Sequence, residues 1–505
     1  MSERSDDQGD GPVPFRHEGH RKPVTRRDFL AQGLIAGLGF VVAPSLFGVL
    51  AAPRRAQAQA LQCNLGVGAG RIPFLCFDLA GGASVAGSNV VVGGPGGALD
   101  PLSADGYRQL GLPDTMLPQL PGQTNLELGL PFHADSGFLR GILSKTSPAT
   151  RANVNGAVIC ARSENDTGNN PHNPTYGIAR AGAAGELAVL IGTESSVSGG
   201  NSQAPMSMID AALRPTKVDR PTDATGLVDT GKLVNLLNQA DAAAVMRTVE
   251  TLAEEKLVRM NEAQAVLDLM RCSYVETTHL VSTFGDPSIL DPRVDPDIVG
   301  AANSIFTAAE FGRSTFVKTG SVMKLVVNGF AGAGTLELGG YDYHDSTRAS
   351  GERKDFEAGQ AMGAALEYAA RRGRQLMLYV FSDGSVNSTG ELDNSVDGRG
   401  KGIWKSDDSQ TAAAFMLVYD PAGRPALSRP DAGQIGWFRA NGDLETGATR
   451  VSNNVDRLAE AVVLNYLALH DEVGRLAQVL PGHGLGSTAE QDRVIAFAPI
   501  RAAGS

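Results

Sequence analysis

A strand–loop–helix–strand pattern between residues 335 and 381 constrains the fold more than any other feature of the chain. Thr335–Leu338 and Gln375–Phe381 are short apolar runs, and the segment between them, Lys354–Arg372, has the apolar periodicity of an amphipathic helix. Strands joined by a helical crossover run in parallel, because the chain must return to the same end of the sheet before the second strand starts. The pattern therefore predicts an α/β domain.

Other apolar runs predict further strands of the same sheet. They cover residues 71–80, 155–160, 186–192 and 411–419, with shorter strands at 434–439 and 494–500 and a helix over Val455–His470. We expect an α/β fold with a mostly parallel central sheet and helices on both faces, formed as one domain by residues 61–505. Residues 387–410 are rich in glycine and charge and predict a mobile segment.

A largely helical insertion is predicted over residues 229–325. Apolar residues recur every three or four positions from Thr230 to about His279, which indicates helix. The proline-rich stretch Asp286–Pro296 breaks this pattern, and another helix is expected from Asp297 to Lys324. Because this block interrupts the alternation of strand and helix, we interpret it as an insertion or lid on the α/β core.

The N-terminus carries a twin-arginine export motif, Thr25-Arg26-Arg27-Asp28-Phe29-Leu30. An apolar stretch, Leu34–Ala52, follows it, and small residues at 56–60 offer cleavage sites. Residues 1–60 are therefore expected to be a signal peptide with a disordered start. The predicted partner is the twin-arginine (Tat) translocase, and the predicted destination is the periplasm or beyond. The alternative is a retained membrane anchor, whereas the mature chain is expected to have no stable membrane span.

The net charge and the cysteines argue against several classes of binding site. The 505-residue chain has a formal net charge of −11, which argues against binding to nucleic acid or to anionic lipid. Its four cysteines, in an oxidising compartment, could form two disulfides or none, and their spacing does not indicate a cysteine-based zinc site.

Two strand ends carry side chains suited to chemistry. Asp342, His344 and Asp345 follow the strand at 335–338, and Asp383 follows the strand at 375–381. Sites in α/β sheets lie just beyond the carboxyl ends of the strands, so these groups are expected to share one site. The alternative is that both segments are polar turns in which Asp caps a helix and Gly turns the chain.

These residues resemble a known family. The features are the twin-arginine motif, Gly81-Gly82 after the first strand, Leu338-Gly-Gly-Tyr-Asp-Tyr-His-Asp345, and a strand that ends in Ser382-Asp383-Gly384. They are similar to the exported, sulfatase-like family known as domain of unknown function 1501, which has the fold of the alkaline phosphatase superfamily. The resemblance covers about residues 300–420 and, more loosely, 70–190. It implies a divalent-metal site in which a hydroxyl or formylglycine nucleophile attacks a small anionic substrate, a phosphate or sulfate ester.

The resemblance also implies ligands and nucleophiles. The implied metal ligands are Asp78, Asp342, His344, Asp383 and Asp408. The hydroxyl candidates are Ser84, Ser88 and Thr167, and Ser84 follows Gly81-Gly82 in a turn whose amides could face an anion. The chain departs from the family at Ala83, at Ser385 and at Asp407-Asp408-Ser409, which lacks histidine. An oxygen-rich set of this kind suits Mg²⁺, Mn²⁺ or Ca²⁺ better than Zn²⁺.

Two functions follow from the sequence. The first is a periplasmic metal-dependent hydrolase of phosphate or sulfate esters. The second is a non-catalytic exported protein that uses a degenerate hydrolase fold for binding or assembly in the cell envelope or in secretion. Motifs of other enzyme classes are absent from the sequence, among them the Gly-x-Ser-x-Gly elbow, the Walker loop and the His-Glu-x-x-His helix.

Overall fold

The computed structural model describes residues 70–164, 170–228, 239–259, 264–344 and 346–502. The strands are β1 Phe74–Ala80, β2 Thr124–Asn125, β3 Phe132–His133, β4 Val154–Ile159, β5 Ala188–Gly192, β6 Thr216–Lys217, β7 Ala331–Gly339, β8 Leu376–Ser382, β9 Val386–Asp393, β10 Lys401–Asp407, β11 Ala414–Tyr419 and β12 Gln434–Ile435. The α-helices are α1 Ala104–Gln109, α2 Gly137–Lys145, α3 Pro148–Ala152, α4 Thr175–Arg180, α5 Pro221–Gly226, α6 Gln239–Leu257, α7 Gln264–Phe284, α8 Ala308–Phe311, α9 Ser314–Val327, α10 Ala349–Arg371, α11 Val455–Leu469, α12 Leu476–Val479 and α13 Thr488–Asp492.

The described residues form a central sheet of eight strands in the order β12-β4-β11-β8-β1-β7-β5-β6. Every neighbouring pair is parallel except the two pairs made by β11, which runs antiparallel to β4 and to β8. The prediction of a mostly parallel α/β sheet is confirmed. One detail differs: β7 and β8 are not neighbours, because β1 lies between them, with Asp78 in register with Glu337 and Phe381.

Helices cover both faces of this sheet, as predicted. Successive side chains of β1 alternate between two buried clusters, with Leu75 and Phe77 in one and Phe74 and Cys76 in the other. The first cluster includes residues of α2, α9 and α10, and the second includes residues of α4 and α11. Burying a single Leu or Phe side chain in either cluster stabilises the fold by roughly 1.5–3 kcal/mol. The central strands are therefore fixed from both faces.

The helical block differs from its prediction in detail. Helices α6 and α7 pack on each other, while residues 229–238 and 260–263 of the predicted helix lie outside the described residues. The helix predicted from Asp297 to Lys324 is wrong at its start, because α9 begins only at Ser314. The sequence breaks the helix earlier: Gly300 has a positive φ of 93°, and Thr307 caps the short helix α8.

Three other predictions can be compared with the structure. The strand predicted over 494–500 is wrong, since the segment makes only an isolated bridge between Phe497 and Leu427. Cys76 and Cys160 are free and buried, so two disulfides do not form. The export motif lies outside the described residues. Among the residues that are described, no helix is both long and apolar enough to cross a membrane.

Residues 386–407 form a hairpin, β9–β10, where the sequence predicted a mobile segment. The fully buried ammonium of Lys401 in β10 lies 2.8 Å from Glu352 Oε1 of α10. Arg348 donates to the same carboxylate at 2.9 Å, and its guanidinium lies 4.3 Å from the ring centre of Trp404. These buried charges attach the hairpin to α10. Such a contact between distant residues cannot be predicted from the periodicity of the sequence.

Replacing Lys401 with Met should therefore loosen the hairpin. The substitution takes one cation from the buried carboxylate of Glu352, which keeps Arg348 and Arg140, so we expect a loss of about 2 kcal/mol in unfolding free energy. Urea denaturation measures this loss. The control is Lys405→Met on the same strand, whose pair with the exposed Glu391 should contribute less than about 1 kcal/mol. Equal losses in the two variants would contradict this description of the hairpin.

Candidate metal centre

Three side chains capable of binding a metal meet at the carboxyl edge of the sheet, and we call Asp342, His344 and Asp407 the triad. One ligand atom from each lies within 4.8 Å of those of the others. His344 Nε2 is 2.6 Å from Asp342 Oδ1 and 3.4 Å from Asp407 Oδ1. The side chains are 34%, 56% and 52% exposed for the histidine and the two aspartates respectively. The triad is therefore open to a ligand from solution.

Backbone hydrogen bonds bring the parts of the triad together. Asp342 and His344 follow β7, whereas Asp407 ends β10. The amide of Ser346 donates to the carbonyl of Trp404 at 3.1 Å, and the amide of Trp404 donates to the carbonyl of Thr347 at 3.2 Å. Because Trp404 is three residues before Asp407, these bonds set the end of β10 beside the loop that carries His344.

The turn after β1 fits against the same loop. The amide of Tyr341 donates to the carbonyl of Ala80 at 3.0 Å, and Gly81 has a positive φ of 132°. A Cβ atom on Gly81 would lie only 2.1 Å from the backbone nitrogen of Asp342. Glycine is required here both by conformation and by the close approach of the two backbones. Gly82 is less constrained, because its Cβ would lie 3.8 Å from Asp407 Oδ1.

A closed set of buried hydrogen bonds holds Ser84 away from solvent. The amide of Ser84 donates to Tyr343 Oη at 2.8 Å, and that hydroxyl donates to Asp355 Oδ1 at 3.0 Å. Asn89 Nδ2 donates both to Asp355 Oδ2 and to the carbonyl of Ser84. Burial, together with the nearby Glu352, raises the pKa of Asp355 to about 7. The set is structural, and it joins the turn after β1 to the triad loop.

The predicted nucleophiles do not lie open beside the triad. Ser84 is only 3% exposed and Ser88 is completely buried, while Thr167 lies outside the described residues, as does Asp345. The hydroxyl of Ser88 is buried without a hydrogen-bond partner. Neither described serine could attack a substrate without a rearrangement that exposes it.

Asp78 and Asp383 form a separate, fully buried pair. Asp78 accepts hydrogen bonds from the amide and the hydroxyl of Ser202, at 2.7 and 3.1 Å. Asp383 accepts from the amide of Gly81 at 2.9 Å and from Asn201 Nδ2 at 2.8 Å. Burial raises the pKa of Asp78 to about 8, and the charge of Asp383 adds to this. Donors already occupy these oxygens, so the pair serves to fix the loop at 201–202.

The structure places Asp407, rather than the predicted Asp408, in the triad. Asp408 caps a short 3-10 helix, Ser409–Thr411, by accepting from the amide of Gln410 at 2.9 Å. Its other oxygen accepts from Asn387 at 3.0 Å. Consecutive residues leaving a strand point to different sides, which explains why neighbouring aspartates have different roles.

The donor set of the triad fits a divalent cation. Ligand atoms bound to one ion at about 2.0–2.6 Å lie at most roughly 4–5 Å apart, which agrees with the separation within the triad. Two carboxylates and one imidazole leave further coordination positions on the exposed side. The sequence therefore predicted two of the three members of the triad, Asp342 and His344, and named Asp408 where the structure has the adjacent Asp407.

Searches with the chain against protein-family models and against curated proteins find no match. The resemblance to the sulfatase-like family therefore remains a prediction from the quoted motifs.

Sequence reasoning also missed the residues that support the centre. Ser202 and Asn201 lie in a stretch without apolar periodicity, yet they donate hydrogen bonds to Asp78 and Asp383. Asp355 lies within a regular amphipathic helix and looks like any polar helix residue. Its one sequence signal is its position about 1.1 turns after Gly351, where α10 packs against Tyr343 of the triad loop.

Substituting Gly81 with Ala should disrupt the centre. The new methyl group would overlap the backbone of Asp342 and would need a conformation with positive φ, so we expect a loss of about 2 kcal/mol or more in unfolding free energy and weaker binding of Mn²⁺. Calorimetry and denaturation measure the two effects. Gly82→Ala is the matched control, because its nearest contact is an ordinary 3.6 Å. Identical behaviour of both variants would refute the close-approach argument.

Asp78 should make stability dependent on pH. Its folded pKa of about 8 exceeds the ordinary value of 3.8, so the folded chain keeps a proton that the unfolded chain loses between these values. The contribution of this group to stability therefore falls as pH rises from about 4 to about 8. We expect Asp78→Asn to stabilise the chain at about pH 9 by more than about 1 kcal/mol relative to about pH 5.

Denaturation at both pH values checks this expectation, with Asp431→Asn as the control because Asp431 is 71% exposed. A pH profile for Asp78→Asn that parallels that of the wild type would show that Asp78 ionises normally in the folded chain.

Proposed function

We propose that this chain is a divalent-metal-dependent hydrolase of phosphate or sulfate esters that acts outside the cytoplasm. The exposed triad at the carboxyl edge of the sheet is the observation that carries the proposal. This edge is where α/β proteins bind their ligands. The twin-arginine motif supports export through the Tat translocase, and the resemblance of the motifs supports ester hydrolysis as the reaction class.

The triad favours Zn²⁺ or Mn²⁺ as the ion. Imidazole is a common ligand of Zn²⁺, and carboxylates suit Mn²⁺, whereas Ca²⁺ binds through oxygen alone. Asp342, His344 and Asp407 would hold the ion. An ion in this place supplies Lewis-acid stabilisation of the negative charge that develops on the ester oxygens.

The protein's own groups have defined tasks in this proposal. During hydrolysis, the oxygen of a water molecule bonds to phosphorus or sulfur while the bond to the ester oxygen breaks. The departing oxygen gains a proton, and the products are an alcohol and inorganic phosphate or sulfate. Gly81 lets the turn after β1 approach the triad loop, and Tyr343 with Asp355 holds that loop in place. Ser84 has no part in bond formation.

The non-catalytic alternative is favoured by one observation. Ser84 and Ser88, the described hydroxyl groups nearest in sequence to the turn after β1, are both buried. A protein that uses this fold for binding or assembly in the envelope needs no accessible nucleophile. Metal binding without turnover of any ester would favour this alternative.

Asp407→Asn tests the proposal, and Asp408→Asn, at the neighbouring residue, is its control. Removing a ligand charge from the triad should weaken Mn²⁺ or Zn²⁺ binding by more than about tenfold and reduce ester hydrolysis at least as much. Asp408→Asn should leave both within about twofold, because its role as a helix cap can be kept by asparagine. Calorimetry with each metal, and assays with para-nitrophenyl phosphate and sulfate, give the two readings.

A wild-type protein that binds neither metal would overturn the proposal. Equal effects of the two substitutions would instead show that the triad is not the metal site.

A further inference from the structure

A cleft of about 500 Å³ opens directly beside the triad. Asp342 lines this cleft and belongs to the triad as well. Its volume is that of a site for a small organic molecule. Another cleft, of about 550 Å³, lies near Pro171 and Arg457, but no member of the triad lines it. The first cleft is therefore the one positioned to hold a molecule that also contacts the triad.

The residues that line this cleft include more cations than carboxylates. Three cations line it, Arg313, Arg353 and Lys354, against two carboxylates, Asp342 and Glu357. The chain as a whole has a net charge of −11. Binding of a cation by Asp342 would leave the cleft more positive still. A cation of this cleft that has no carboxylate partner would attract an anionic group of a ligand.

Lys354 is the cation that remains available. Arg313 lies 2.8 Å from Glu357, and Arg353 lies 2.8 Å from Asp397, so both guanidinium groups already have carboxylate partners. Lys354 forms no ion pair with any of the described residues. Its ammonium donates a hydrogen bond to the carbonyl of Gly339 at 2.7 Å. One hydrogen bond leaves two of its three donors for a ligand.

The position of Lys354 is fixed by its surroundings. Its ammonium lies 5.8 Å from the ring centre of Tyr341. Gly340 has a positive φ of 85°, and a Cβ atom there would lie 2.9 Å from Lys354 Nζ. The ammonium is thus held against the backbone of the loop that carries Asp342.

We propose that this cleft binds the alcohol portion of the substrate and that Lys354 binds an anionic group on that portion. The inference rests on the proposed function and names a substrate class for it: esters whose alcohol portion carries its own carboxylate or phosphate. Phe356 supplies an apolar surface in the cleft, which suits the organic skeleton between the two charged ends. Lys354 is then a specificity-determining residue.

Paired substrates test this assignment. Phenyl phosphate and para-carboxyphenyl phosphate differ only in the second charge. Lys354→Met should raise KM for the carboxylated ester roughly tenfold, the effect of losing one charge-assisted contact, and leave kcat unchanged. KM for phenyl phosphate should stay within about twofold, Lys354→Arg should restore most of the difference, and Lys405→Met, outside the cleft, should change neither. Equal losses with both esters would mean that Lys354 binds the reacting phosphate, and would overturn the assignment.

A binding measurement separates this inference from the proposed function. Para-phosphonobenzoate and phenylphosphonate cannot be hydrolysed, so their affinities do not depend on turnover. The wild type should prefer the carboxylated compound roughly tenfold in calorimetry, and Lys354→Met should abolish the preference. If that preference is present but no ester is cleaved, the hydrolase proposal fails while the cleft assignment stands. If esters are cleaved but Lys354→Met keeps the preference, the cleft assignment fails alone.

Discussion

Hydrogen bonding of β1 between β7 and β8 is the interaction on which the candidate centre depends. The three strands are parallel, so their carboxyl ends lie at one edge of the sheet. That arrangement places the turn at Gly81 between the triad loop and Asp383. The amide of Gly81 donates to Asp383, and its α-carbon lies against the backbone of Asp342. A residue with a side chain at this position would push the two loops apart.

Buried charge provides the second constraint. Lys401, Glu352 and Arg348 are almost completely excluded from solvent, and each would be costly to bury alone. Their mutual pairing fixes the β9–β10 hairpin on α10 and so places Asp407 opposite His344. The triad itself is exposed, and its charges remain available to a ligand. The charges that hold the hairpin on α10 are thus buried and paired, while the charges of the triad, which are proposed to bind a metal, are open to solvent.

The sequence predicted the parts of the fold that follow from local periodicity. The strands at 74–80 and 376–382 and the helix at 455–469 agree closely with their apolar patterns. It could not predict that β1 separates β7 from β8, because strand order depends on contacts between distant residues. The hairpin at 386–407 was missed for the same reason: its segment is polar, and its stability comes from tertiary ion pairs.

In the candidate metal centre, too, local sequence patterns predicted some residues, while tertiary contacts decide the others. Asp342 and His344 were predicted because they follow a strand directly, whereas the choice between Asp407 and Asp408 depends on which side of β10 each side chain leaves. Asp78 and Asp383 have a suitable residue type at the carboxyl edge of the sheet, yet donors from Asn201 and Ser202 bond to their oxygens. Only the packing of those loops distinguishes a structural carboxylate from a ligand.

Whether the triad binds a metal can be seen in a crystal structure of the exported protein grown with Mn²⁺, in which the anomalous signal locates the ion. We expect one strong peak within about 2–2.5 Å of ligand atoms from Asp342, His344 and Asp407. A peak at Asp78 and Asp383 instead, or a well-ordered triad with no ion at saturating Mn²⁺, would contradict it.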